Sequence, residues 1–162
     1  MSTLGRKLRL RGDLPKDVNE YIRLTEKGIL YEELIPLFGV ENREKAKVEF
    51  FANVLFCKPH PHKYRALFRD RFPNVDEAIC DLKRHDYRRL AHHLQRCESA
   101  TMIHGVCERL RRELPEAPVL TIHDCIMTTR PYLDPVRTVL HEEFKTLSLF
   151  PSLKEQDFTL AA

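Results

Sequence analysis

Hydrophobic residues recur every three or four positions over most of the chain, which is the spacing of an amphipathic helix. The spacing predicts one helical stretch over residues 15–37, which Gly28 divides in two because glycine weakens a helix. It predicts further helices over residues 43–56, 63–72, 74–85, 87–113 and 135–147. Asn42 stands where it can cap the helix that begins at Arg43. The pattern therefore favours a mostly helical fold.

One stretch has a different pattern. Residues 119–129 read VLTIHDCIMTT, with apolar and β-branched residues on both sides of a His-Asp pair. Such residues favour strands, and a short polar centre favours a tight turn. The stretch predicts a β-hairpin with His123, Asp124 and Cys125 in its turn and Asp124 at the exposed tip. A single hairpin among helices indicates an α+β fold.

Composition narrows the class of protein. The chain has 162 residues, of which 43% are hydrophobic and 31% charged, as in an ordinary globular domain. We expect residues 1–15 to form a basic, poorly ordered lead-in, residues 16–150 the folded domain and residues 151–162 a tail. No apolar run is long enough to span a membrane, no signal peptide is evident, and the five cysteines include no CxxC pair. These features predict a cytoplasmic chain with no membrane partner.

Positive charge is unevenly distributed, although the formal net charge is only +3. A second basic cluster, after the one at the start of the chain, consists of Lys83, Arg84, Arg88, Arg89 and Arg96. Such a cluster can follow a phosphate backbone. Charge alone favours a solvated helix face with no nucleic-acid partner.

The hairpin resembles the palm motif of family A DNA polymerases and the related single-subunit phage RNA polymerases. Those enzymes have an apolar strand, then His-Asp and a Glu or Ser, then a second strand; here the third residue is Cys125. The resemblance implies that Asp124 is a catalytic residue that holds Mg²⁺. It implies that His123 supports the turn or touches the primer terminus. Without the resemblance, Asp124 is explained by the preference of turns for Asp.

The helix that begins at Arg43 resembles the fingers helix of the same family. Arg43 and Lys47 are four residues apart and share one helix face, which suits an incoming triphosphate. The resemblance implies that Phe56 faces the base. Phe56 comes one residue later than the family spacing, and no glycine follows it. Either the helix carries a one-residue insertion, or Lys45 is the relevant lysine.

The long predicted helix over residues 87–113 resembles the duplex-contacting helix of the family. Gln95 stands where the family has a glutamine that touches the primer–template, so the resemblance implies the same contact here. Arg88, Arg89 and Arg96 on this helix are the expected phosphate contacts. More weakly, the resemblance places Tyr31 near the nucleotide entry. It extends over roughly residues 16–147.

The second metal-binding Asp of the family has no clear counterpart. Asp13 is the only acid in residues 1–15, and Asp17 and Glu20 belong to the next helix. We therefore expect the chain to be a fragment of a DNA-directed DNA polymerase of phage or mobile-element type, which acts in DNA replication or repair. The fragment alone would have weak activity or none. It would need Mg²⁺, deoxynucleoside triphosphates, a primer–template duplex and another chain or upstream segment that supplies the second Asp. The alternative is a non-catalytic helical DNA-binding or assembly module.

Overall fold

Eight α-helices and one small β-sheet form the part of the chain that the computed structural model describes, residues 14–58, 60–122 and 124–157. The helices are α1 (Lys16–Glu26), α2 (Leu30–Phe38), α3 (Arg43–Phe50), α4 (Lys63–Arg71), α5 (Pro73–Lys83), α6 (Arg88–Ser99), α7 (Glu108–Glu113) and α8 (Leu133–Thr146). Two segments are π-helical, Phe51–Leu55 after α3 and Ala100–Cys107 between α6 and α7. A 3-10 turn, Arg130–Tyr132, precedes α8. None of these helices is long and apolar enough to cross a membrane.

The ends of the helices follow local sequence signals. Gly28 separates α1 from α2 in a left-handed conformation (φ +70°), as the sequence predicted. The Asn42 side chain accepts a hydrogen bond from the Lys45 backbone N–H at 2.9 Å, which confirms the predicted cap of α3. The start of α5 was predicted one residue late, because Pro73 is tolerated in the first turn of a helix.

The sheet is a two-stranded antiparallel hairpin of β1 (Leu120–Ile122) and β2 (Cys125–Met127). Ile122 pairs with Cys125, so only two residues connect the strands. The prediction that Cys125 lies in the turn is therefore wrong. A two-residue connection is the commonest hairpin loop, and it draws Cys125 into the ladder. His123 lies outside the described residues. The chain is thus a mostly helical α+β protein.

The buried apolar side chains form two clusters. The first takes its members from α1 to the start of α6, and Phe68 at its centre contacts the rings of Tyr21, Phe50 and Phe72. The second consists of Met102, Val106, Leu110, Val136 and Val139. Residues 88–113 form a continuous helical rod that belongs to both clusters, because Leu90 packs in the first and Met102, Val106 and Leu110 pack in the second.

Part of the predicted tail is anchored. The Ser152 backbone N–H donates to the Glu26 carbonyl at 3.1 Å, at the end of α1. Glu155 pairs with Arg137, and Asp157 lies 3.3 Å from Arg130. The described part of the tail therefore contacts elements from both clusters. Residues 1–13, which make up most of the predicted lead-in, and residues 158–162 lie outside the described residues.

We expect Asn42→Ala to lower the free energy of unfolding by about 1 kcal/mol, because the Lys45 N–H loses its acceptor at the start of α3. Asn42→Asp keeps the acceptor and is the matched control. Urea denaturation measures the difference as a shift in midpoint at constant slope. Equal midpoints for Asn42→Ala and the wild type would show that the cap contributes nothing.

Candidate functional site

Four side chains line one face of α3 and the π-helical turn that follows it. Arg43, Lys47 and Phe51 are spaced four residues apart, and the Phe56 N–H donates to the Phe51 carbonyl at 2.9 Å. This bond spans five residues, which is the bond of a π-helix and accommodates one extra residue. Phe56 therefore follows Phe51 on the same face, with ring centroids 5.3 Å apart. We call these four residues the aromatic–basic stripe.

The π-helical turn bears on the spacing question that the sequence left open. The π-helical turn holds one residue more than an α-helical turn, so Phe56 lies beside Phe51 at a spacing of five residues. Lys45, the competing lysine, pairs with Glu49 at 3.4 Å and is outside the four-residue series. Lys47 has no ion-pair partner among the described residues, so it is the uncompensated cation of the stripe.

Arg43 is held by acids and by an aromatic ring. Its Nε lies 2.9 Å from Glu32, its Nη1 lies 3.5 Å from Glu44, and its guanidinium lies 5.0 Å from the centre of the Tyr31 ring. Tyr31 also contacts Phe51, with ring centroids 6.1 Å apart. The stripe thus ends against α2, and the charge of Arg43 is largely compensated.

Phe51 is the member of the stripe that the sequence prediction did not assign to a site. The signal was present, because Phe51 lies four residues after Lys47 as Lys47 lies four after Arg43. Phe51 is half-buried, whereas Phe56 is 38% exposed at the free end of the stripe. An aromatic ring that is exposed beside cations offers a surface for stacking.

A second polar surface runs along α6. Arg88, Arg89 and Arg96 are exposed, and no carboxylate among the described residues pairs with them. Gln95 is exposed on the same helix and borders a shallow depression of about 180 Å³ with Glu98, Ser99, Met102 and Ile103. We call Arg88, Arg89, Gln95 and Arg96 the α6 polar face. Its arginines differ from those of α7 and α8, which pair with glutamate or aspartate.

Lys83 does not belong to this surface, contrary to the cluster read from the sequence. Its side chain is only 2% exposed, and its Nζ donates to the Val54 carbonyl at 2.7 Å. Arg84, the next member of the predicted cluster, pairs with Asp81 at 2.6 Å. The assignment from charge was wrong because Lys83 stands on the buried face of α5, one turn beyond Ile79.

Asp124 is exposed between the two strands of the hairpin. Within the described residues, no group of three or more His, Cys, Asp or Glu side chains is arranged to hold a metal ion. One exposed carboxylate fits Mg²⁺ that is bound mainly by water and phosphate oxygens, but it does not make a two-ion site.

The other acids considered from the sequence do not join Asp124. Asp17 accepts two hydrogen bonds from Asn74, from its backbone and its side-chain amide, each at 2.9 Å. Glu20 pairs with Arg71, which lowers the pKa of the Glu20 carboxyl. Both acids connect α1 to the helices packed against it. Asp13 lies outside the described residues.

No protein-family model matches the chain, and neither a curated protein nor a solved structure is detectably similar to it. A function can therefore be inferred only from the geometry of the stripe, the α6 polar face and Asp124.

Burial raises the pKa of the Tyr31 hydroxyl, and the Arg43 cation offsets part of that increase. We expect Arg43→Gln to raise the pKa of Tyr31 further, because tyrosinate loses its nearby cation while Glu32 and Glu44 remain. Titration of the tyrosine ¹³Cζ signals, assigned with Tyr31→Phe, measures the change. Lys45→Gln is the control and should leave the Tyr31 pKa unaltered. An unchanged or lower value in Arg43→Gln would mean that the guanidinium does not lie over the ring in solution.

Proposed function

We propose that this chain is the nucleotide-binding and hairpin portion of a family A-like DNA polymerase, acting in template-directed nucleotidyl transfer. The single observation that carries the proposal is the alignment of two cations and two aromatic rings on one face of α3 by the π-helical turn. Two cations followed by a half-buried ring and an exposed ring suit a ligand that has a phosphate chain at one end and a flat base at the other. A deoxynucleoside triphosphate has that form.

Lys47 is the principal phosphate contact in this proposal. It has no carboxylate partner among the described residues, and an ammonium acts on a triphosphate as a compact point charge. Arg43 adds its remaining N–H groups at the end of the stripe, where Glu32 and Tyr31 fix its orientation. Phe56, supported by Phe51, stacks on the base.

The α6 polar face contacts the primer–template duplex in this proposal. Arginines without carboxylate partners are free to replace the counterions of a phosphate backbone, which makes binding depend strongly on salt. Gln95 contacts the duplex beside the depression that it borders. Such contacts position nucleic acid but do not read its sequence.

Asp124 would hold Mg²⁺ at the hairpin, and the role of His123, which precedes Asp124 in the sequence, stays as the resemblance implies. When bound, Mg²⁺ neutralises charge on the phosphate oxygens. Asp124 would contribute one carboxylate to the ion, which in proteins keeps water and substrate phosphate oxygens as its other ligands. A second acid would come from another chain or an upstream segment, so the chain alone is expected to transfer nucleotides weakly or not at all.

Lys47→Ala should weaken binding of a deoxynucleoside triphosphate about tenfold, since a hydrogen bond to a charged group contributes about 1.5–3 kcal/mol. Lys45→Ala is the matched control, because it removes the same charge two residues away from a lysine already paired with Glu49. Isothermal titration calorimetry with Mg²⁺ present measures both. Equal affinities for the two variants would remove Lys47 from the site.

Asp124→Asn should abolish the Mn²⁺-induced line broadening that we expect around residue 124 when triphosphate is present, because the amide is a poor ligand for a hard cation. Asp134→Asn is the control at another exposed aspartate, and it should leave the broadening intact. Nuclear magnetic resonance of the labelled chain gives the readout. If the chain extends a primer with Mg²⁺, extension that survives Asp124→Asn would contradict the role given to Asp124.

A second candidate function is a non-catalytic DNA-binding module, favoured by the arginines of the α6 polar face, which need no metal. The two candidates differ in measurable ways. The module binds duplex DNA with strong salt dependence, does not bind deoxynucleoside triphosphates, and is indifferent to Asp124→Ala and to removal of Mg²⁺. Triphosphate binding that depends on Lys47 favours the polymerase portion.

A further inference from the structure

Lys83 makes an unusual buried contact with the π-helical turn. Its side chain is 2% exposed at the end of α5, and its Nζ donates to the Val54 carbonyl at 2.7 Å. Val54 lies within the turn Phe51–Leu55. Lysine is almost never fully buried without a partner, and the Val54 carbonyl is the acceptor to which Lys83 donates here.

The carbonyl that Lys83 binds is one that a helix leaves unsatisfied. The last four carbonyls of a helix have no N–H partner within it, and the π-helical segment ends at Leu55. A cation at this end also complements the partial negative charge of the helix terminus. Lys83, at the end of α5, thus caps the C-terminal end of the π-helical turn that follows α3.

Burial of the Lys83 charge costs free energy, and this cost opposes the contact. Burial lowers the pKa of the Lys83 ammonium, and Arg65 lowers it further, whereas Cys57, Cys80 and Asp76 act in the opposite direction. Asp76 is itself only 5% exposed, and its carboxylate pairs with Arg65, whose Nε lies 3.6 Å from Asp76 Oδ1. A shorter or apolar residue would avoid this cost, so the bond to Val54 is the evident gain.

We propose that Lys83 is a positioning residue for nucleotide binding, which fixes the π-helical turn through the Val54 carbonyl and so keeps Phe56 over Phe51 on the face of Lys47. The inference rests on the proposed function, because it assigns Lys83 to the same stripe. Lys83 itself touches no ligand. It acts on the base end of the stripe, since Lys47 lies in α3 before the turn begins.

The test compares two probes that differ only in the nucleoside. Lys83→Met nearly keeps the volume of the side chain, which becomes one atom shorter and loses the donor. We expect it to weaken binding of a deoxynucleoside triphosphate about fivefold, the lower end of what one base–aromatic stack contributes. Binding of inorganic triphosphate should not change. Lys45→Met, which removes an exposed lysine, should alter neither affinity.

Two further measurements separate positioning from general destabilisation. In a Phe56→Ala background, Lys83→Met should have no additional effect on nucleotide affinity, because Lys83 acts through Phe56. The Phe56 amide should exchange its hydrogen faster in Lys83→Met than in the wild type. If Lys83→Met does not fold, Lys83→Gln serves instead, because its amide is one atom shorter and cannot reach Val54.

The inference is overturned if Lys83→Met leaves both affinities unchanged or lowers both equally. Failure of the proposed function gives a different result: the wild-type chain then binds neither probe. In that case the hydrogen-exchange rate of the Phe56 amide still tests whether Lys83 stabilises the π-helical turn. An unchanged rate in Lys83→Met would show that Lys83 does not stabilise it.

Discussion

The hydrogen bond from the Phe56 N–H to the Phe51 carbonyl is the constraint on which the candidate site depends. In a regular α-helix, a residue five positions after Phe51 would turn away from the face of Arg43 and Lys47. The π-helical turn takes up the additional residue and returns Phe56 to that face. The arrangement is stabilised from two sides, by the first hydrophobic cluster beneath Phe50 and by the Lys83 contact at the end of the turn.

Much of the helical framework could be predicted because its signals are local. Asn42 and Gly28 act within a few residues of themselves, and the apolar spacing fixes which face of each helix is buried. The π-helical conformation was not predicted, since five residues are too few for the apolar spacing to distinguish it from an α-helical turn. Burial of Lys83 was missed for a related reason: it depends on an acceptor 29 residues earlier in the chain, which no local pattern contains.

The candidate site was predicted in part. Lys47 and Phe56 were identified from spacing and resemblance, and the structure brings both onto one face with Phe51. The compensation of Arg43 by Glu32 was not foreseeable, because it joins two helices across a turn. At the hairpin, the strand register could not be read to the residue, so Cys125 was assigned to the turn. Asp124 is a single carboxylate, and Asp17 and Glu20, two of the acids considered as a second ligand, connect packed helices instead.

The helical rod over residues 88–113 determines where the chain can be cleaved or truncated without loss of the fold. Because the rod belongs to both hydrophobic clusters, no loop separates them along this stretch, and limited proteolysis would find no exposed linker there. Cutting the chain between Leu94 and Met102 would break a helix and leave an apolar face of each half without its cover. The two clusters should therefore unfold as one cooperative unit, and a fragment that ends within the rod is a poor choice for expression.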